Sequence, residues 1–236
     1  MANNELNTPP AVVLLSGGLD SATTLAIARD QGFACHAIAF DYGQRHRAEL
    51  DASLRQAKAL GALSHRVVHV DMNQFGGSAL TDFSIEVPEA HSQAGIPSTY
   101  VPARNTVMLS LALALAETLN SRDIFLGVNA VDYSGYPDCR DDTLKALQVA
   151  LSLGLDTRLV LETPLMWLDK AQTWKMAESL GGPALVALIE EETHTCYVGD
   201  RTHRHAWGYG CNTCPACDLR RTGHERYIKP SAQAGV

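Results

Sequence analysis

Four consecutive apolar residues, Val12-Val13-Leu14-Leu15, run directly into Ser16-Gly17-Gly18-Leu19-Asp20-Ser21. This junction constrains the fold more than any other feature of the chain. The apolar run reads as a buried strand and the glycine pair as a tight turn. Ser21-Ala22-Thr23-Thr24-Leu25-Ala26-Ile27-Ala28-Arg29 then opens a helix. A strand that turns at once into a helix aims several unpaired backbone N–H groups at one point, and the helix dipole adds positive potential there. Such a point binds anions, phosphate above all. Gly17 and Gly18 let the main chain curl into a concave nest that a phosphate can approach closely. The common triphosphate loop closes with Gly-Lys-Ser/Thr. This loop has no lysine and carries Asp20 in that region. The bland alternative is an ordinary glycine turn of an α/β protein.

The chain has 236 residues, 46% of them apolar, enough for one sizeable core with a small appendage. It carries 19 Lys+Arg against 26 Asp+Glu, a formal charge of −7. That balance argues against a large basic footprint, so no direct nucleic-acid partner is expected. No apolar run reaches the length of about 18 residues that a membrane span needs. Met1–Pro10 lacks the basic and apolar pattern of a secretion signal, so a cytoplasmic location is expected. Six cysteines in such a chain point to metal or catalysis rather than disulfides.

Short apolar runs alternate with amphipathic ones. Strands are expected at Val12–Leu15, Cys35–Phe40, Arg66–Val70, Ile124–Val128 and Arg158–Glu162. Helices are expected at Ser21–Gln31, Arg47–Leu60, Asn105–Thr118, Asp141–Leu153 and Lys170–Leu180. The alternation implies crossover units, a doubly wound and mostly parallel α/β sheet, and a ligand at the carboxyl ends of its strands. Asp71–Tyr100 breaks the rhythm and reads as a lid, a binding loop or a disordered segment. The division expected is an α/β body over residues 1–190 and a cysteine-bearing segment over 191–236, packed on the same body.

Cys211-Asn212-Thr213-Cys214-Pro215-Ala216-Cys217 spaces three thiols at C-x₂-C-x₂-C, with Cys196 fifteen residues upstream. Four cysteines so spaced suit one tetrahedral Zn²⁺. Thiolates also hold iron–sulfur clusters. A site closed by four protein ligands leaves no open position for catalysis, so the metal is expected to be structural. Cys35, in an apolar strand, reads as a core residue. Cys139, in a polar loop, is open to either a nucleophilic or a structural reading.

Further strings now matter: Asp41-Tyr42-Gly43-Gln44-Arg45-His46, Val101-Pro102-Ala103-Arg104-Asn105-Thr106, Asp132-Tyr133-Ser134-Gly135-Tyr136-Pro137-Asp138-Cys139-Arg140, and Asp169-Lys170 before a helix. With the glycine loop and the cysteine knuckle, they make the chain resemble the 7-cyano-7-deazaguanine synthases, a family of the ATP pyrophosphatase superfamily, from about Val12 to Cys217. Ala103 stands where glycine is common in that family. The resemblance implies an adenine nucleotide alpha hydrolase-like, Rossmann-like sheet with a C-terminal zinc-binding knuckle. It implies an ATP-dependent carbon–nitrogen ligase of queuosine biosynthesis that turns 7-carboxy-7-deazaguanine and ammonia into the 7-cyano base. It also implies one zinc per chain and a homodimer.

Roles follow as expectations. Leu15, Ser16, Gly17, Gly18, Leu19, Asp20, Ser21, Ala22, Thr23, Thr24 and Leu25 form the ATP segment. Asp20 would hold Mg²⁺ or orient the loop. Lys170 and Arg104, with Arg45 third, would offset charge between the phosphates and the transferring group; a solvated surface lysine is the alternative for Lys170. Asp132 or Asp138 would read the deazaguanine edge, Tyr133 and Tyr136 would stack on it, and Arg140 would pair with the substrate carboxylate. A merely structural turn is the rival for that loop. Cys196, Cys211, Cys214 and Cys217 are the metal ligands. The alternative function is a tRNA-modifying thiolase of the same superfamily with a metal or iron–sulfur site.

Overall fold

The computed structural model describes residues 8–89, 95–130, 135–155 and 157–229. Its centre is a five-stranded sheet of β1 (Pro10–Leu14), β2 (Ala34–Asp41), β3 (Ser64–His69), β4 (Asp123–Phe125) and β5 (Val160–Glu162). All pairings are parallel and the order is β3-β2-β1-β4-β5. Val12 lies beside His36 on one flank and Ile124 on the other, which places β1 in the middle. Parallel strands need crossovers, and α1 (Leu19–Asp30), α2 (Ala48–Ala59), α3 (Arg104–Thr118), α4 (Asp141–Leu155) and α5 (Lys170–Glu192) supply them or follow the sheet.

β1 reads as an unbroken apolar run because both of its faces are buried. Val12 packs with Ile38, Leu109, Ala112, Ile124 and Leu144 on the face covered by α3 and α4. Ala11, Val13 and Leu15 point the other way, to Leu25, Ala28, Ala57 and Phe125 under α1 and α2. A further cluster joins Leu19 and Ala22 of α1 to Trp174, Ala177 and Ile189 of α5.

The departures from expectation have local causes. β4 ends at Phe125 instead of Val128. One more sheet bond follows, Leu126 N–H to Glu162 O at 3.0 Å, after which Gly127 backs onto the start of α1. A Cβ there would sit 2.9 Å from the Asp20 carbonyl carbon. The helix expected to stop at Leu180 does meet a break: Gly182 adopts φ 61°, ψ −160°. Pro183 then opens a second helical stretch to Glu192, because proline is tolerated in a first turn.

The tail also folds further than its cysteine spacing indicates. Arg204–His205 (β6) and Gly208–Tyr209 (β7) form an antiparallel ribbon, followed by α6 (Pro215–Ile228). Cys214 is the N-cap residue of α6 and Pro215 its first turn. α6 lies along α5, where the Trp174 ring meets His224 at 5.0 Å and Tyr227 at 6.1 Å. Among the described residues no helix is long and apolar enough to cross a membrane.

Candidate active site

A cavity of about 500 Å³ opens at the carboxyl ends of β1, β2 and β4. This is the crevice on either side of which consecutive strands diverge, the usual ligand position in an open α/β sheet. Leu15, Ser16, Gly18, Leu19, Asp20 and Ser21 form part of its wall.

Gly17 makes the turn possible. Its φ is 96°, and a Cβ at this position would lie 2.2 Å from the Glu49 carbonyl oxygen, so only glycine fits. Gly18 caps α1 without a side chain, leaving the first amides of the helix for an outside acceptor. Ser16 Oγ donates to Ser21 Oγ at 3.1 Å, and Gly18 N–H donates to Ser16 Oγ at 3.4 Å, which ties the turn into a ring.

Lys170 reaches this turn from the start of α5. A capping box between Asp169 and Gln172 fixes that start. The Lys170 side chain is buried and its Nζ donates to Asp20 Oδ1 at 3.0 Å and Oδ2 at 2.7 Å. Behind it stands Gly223 of α6, where an added Cβ would be 2.5 Å from Lys170 Cβ. One turn earlier on α6, Arg220 is 1% exposed and lines the cavity. It donates to Trp207 O at 2.8 Å, Thr195 Oγ1 at 2.8 Å and Ile189 O at 3.1 Å. Burial lowers its pKa to about 10 against the opposing pull of Asp20, so it stays charged at neutral pH.

A second group of polar side chains shares the wall: Tyr42, Glu49, Thr99, Arg104, Tyr136 and Tyr197. Ala103, the N-cap of α3, sits in the left-handed region at φ 54°. That is a backbone state glycine adopts without cost and alanine adopts with strain. Arg104 follows it and turns to Tyr42, its guanidinium 5.3 Å from the ring centre and 3.4 Å from the hydroxyl. Thr99 Oγ1 and Tyr136 OH are 2.8 Å apart. Burial pushes the Tyr42 hydroxyl up to about 12. Burial, opposed by Arg104, pushes the Glu49 carboxyl up to about 7.

The candidates named from sequence divide accordingly. Asp20 and Lys170 meet in one ion pair. Arg104 and Tyr136 come together in the second group. Ala22, Thr23, Thr24 and Leu25 face the interior of the protein; Thr23 Oγ1 donates back to Leu19 O and Thr24 Oγ1 to Asp20 O. Asp138 is buried at the start of α3, accepting from Asn105 N–H at 2.9 Å and from its side-chain amide at 3.2 Å, so its lone pairs serve the helix. Arg140 is exposed and stands outside the cavity wall. Asp132 and Tyr133 lie outside the described residues. Cys139 is buried on the wall and accepts from the Asn105 amide at 3.1 Å. Arg45 donates to the carbonyls of Ala79, Asp82 and Ile85, holding the long loop over the site. Cys35 is a core residue whose thiol burial lifts to about 11. Glu49, Tyr42, Tyr197 and Arg220 were not singled out from sequence; the one signal available was the position of Tyr42 just after a strand.

Cys196, Cys211, Cys214 and Cys217 place their sulfurs within 4.8 Å of one another. Cys211 and Cys217 sulfurs are 3.9 Å apart, close to the spacing of about 3.8 Å that tetrahedral Zn–S bonds of about 2.3 Å require. Backbone N–H groups of Cys211 and Cys214 point at Cys196 and Cys211 sulfurs at 3.4 and 3.3 Å, which favours thiolates. The donors fit a thiolate-bound metal ion.

Residues 10–228 match the sequence pattern of the family described as queuosine biosynthesis protein QueC. A protein of Polaromonas sp. (strain JS666) named 7-cyano-7-deazaguanine synthase is 51% identical over 227 residues, covering 92% of this chain and 95% of that protein. One of Methylorubrum extorquens (strain PA1) with the same name is 53% identical over 235 residues, covering 94% and 95%. Among solved structures, a 4-thiouridine synthetase in complex with RNA and ATP aligns with TM-score 0.52 at 14% identity, over 94% of this chain and 51% of that one. The chain thus spans about half of that synthetase, and the likeness speaks for the fold alone. The extent and identity of the sequence matches settle the family: this chain belongs to the queuosine biosynthesis protein QueC family.

Proposed function

We propose that this chain joins ammonia to 7-carboxy-7-deazaguanine at the expense of ATP, giving 7-cyano-7-deazaguanine. The observation that carries the reading is the near full-length match to synthases of that name, at about half identity. The cavity is consistent with it, since a phosphate turn and a buried cation share one wall with a second polar group suited to an acid.

A carboxylate oxygen cannot leave as oxide or hydroxide at neutral pH. Transfer of AMP onto it makes a good leaving group and releases pyrophosphate. The amides of Ser16–Ser21 cradle the outer phosphates, and Lys170 offsets the charge that builds toward the transferring phosphorus. Asp20 holds Lys170 in place and offers oxygen to the Mg²⁺ that accompanies ATP. Arg104 and the tyrosine hydroxyls around it receive the acid. Ammonia displaces AMP to give the amide. A second adenylation, now of the amide oxygen, followed by elimination gives the nitrile. Cys196, Cys211, Cys214 and Cys217 hold one zinc ion, which supplies folding energy to the tail and no chemistry to the reaction. On this reading residues 1–190 handle nucleotide and 191–236 brace them, in a cytoplasmic homodimer.

The test is incubation of purified protein with 7-carboxy-7-deazaguanine, ATP, Mg²⁺ and ammonium, read by mass spectrometry. The expected products are the amide, then the nitrile, with AMP and pyrophosphate formed in each round. Release of ADP and phosphate instead overturns the mechanism.

A further inference from the structure

We propose that the Glu49 carboxylate receives the ammonium ion for the amide-forming step and takes the proton that frees its lone pair. The proposal rests on the reaction assigned above and adds a residue to it.

Glu49 occupies the first turn of α2 and touches both halves of the site. Its carbonyl oxygen lies against Gly17, the pivot of the phosphate turn. Its side chain lines the cavity and is within electrostatic reach of Arg104, the cation of the second group. Nucleotide bound at the turn and acid bound at Arg104 must meet where the acyl–AMP bond forms, and Glu49 stands beside that junction.

The carboxylate is also unspent. Among the described residues no hydrogen-bond donor or ion-pair partner reaches it, whereas Asp20 has Lys170 and Asp138 has Asn105. A half-buried carboxylate without a donor carries part of the cost of leaving water, and a small cation rich in N–H groups relieves that cost. Ammonium is such a cation and the reaction needs one. Burial lifts the Glu49 carboxyl to about 7, and Arg104 opposes the lift. A base with its affinity near the working pH is suited to proton transfer.

The step balances. Ammonium gives one proton to Glu49. The freed nitrogen lone pair attacks the acyl carbon and forms the C–N bond. The C–O bond to the nucleotide breaks and its electron pair leaves on AMP. The second N–H proton passes to water as the amide forms, and Glu49 returns its proton to water.

Hydroxylamine tests this, because it is already uncharged at neutral pH and needs no base to become a nucleophile. The Glu49→Gln variant should make amide from ammonium roughly 100-fold more slowly than wild type, yet form hydroxamate from hydroxylamine within about fivefold of it. Glu49→Asp should recover part of the ammonium rate. Equal losses with both nucleophiles overturn the proposal, and a raised KM for the acid in both cases marks Glu49 as a reader of the deazaguanine instead. A Glu49→Gln variant that keeps its full ammonium rate overturns it too. In each of these cases the assigned reaction stands if wild type forms amide and AMP; a wild type that forms neither overturns both.

Discussion

The two polar groups on the cavity wall are built on different terms. At the glycine turn the charged side chains have partners: Asp20 holds Lys170, and Arg220 spends its guanidinium on three neutral acceptors of the surrounding chain. Around Arg104 the charges are loosely balanced. The guanidinium faces an aromatic ring, the Glu49 carboxylate lacks a donor among the described residues, and the Tyr42 hydroxyl, raised further by burial, is neutral. In the first arrangement the side chains are already paired and only main-chain amides await an acceptor, which on the function proposed would let it stabilise a transferring phosphoryl group without rearranging. The second is completed by its ligands. Buried polar groups left short of partners cost stability and are retained where something else must bind.

If that contrast is right, substitutions on the two sides should fail differently. The largest effect is expected for Lys170→Met, which leaves Asp20 partly buried without its cation. Acid-dependent exchange of radioactive pyrophosphate into ATP should fall by roughly 1000-fold. A loss of less than about tenfold would reduce Lys170 to scaffolding. Gly223→Ala comes next. The added methyl must displace Lys170 or α6, at a cost of about 1–3 kcal/mol. The same exchange should slow roughly tenfold with metal content per chain unchanged, which separates a shifted lysine from a damaged tail.

The smallest effect concerns stability. With a carboxyl at about 7 in the folded chain and an ordinary value of 4.5, the native state holds the extra proton between those limits. Wild-type stability should therefore fall as pH rises from 4.5 through 7 and stay low above. Glu49→Gln removes that term. It should melt like wild type near pH 4 and be more stable at pH 8, by on the order of 2 kcal/mol after allowance for water in the cavity. Equal melting at both pH values would show that Glu49 is well solvated.

The same contrast explains what could be read from sequence. The phosphate turn is local: strand, glycine pair and helix are consecutive, so Val12–Ser21 announces its own geometry. The cysteine knuckle is nearly as local. Lys170 stands out in the sequence through a helix start and the family resemblance, though its partner Asp20 lies 150 residues away. The Arg104 group has no such signature. Glu49, Arg104, Tyr136 and Tyr197 come from four separate segments and converge only through sheet order. The Asp138 contact with Asn105 could not be read in advance, because a carboxylate accepting from a helix start looks, in sequence, like a carboxylate free to read a base. α6 was hidden because Cys214 and Pro215 carry two duties, ligand and helix start, and only the first shows in the spacing.

The distance along the chain between Asp20 and Lys170 has a further consequence. On the ribosome the glycine turn emerges long before the lysine that pairs with Asp20 and the Gly223 shoulder behind that lysine. A nascent or truncated product that stops before α6 would own a phosphate nest with no braced cation. On the function proposed, such a fragment is expected not to spend ATP.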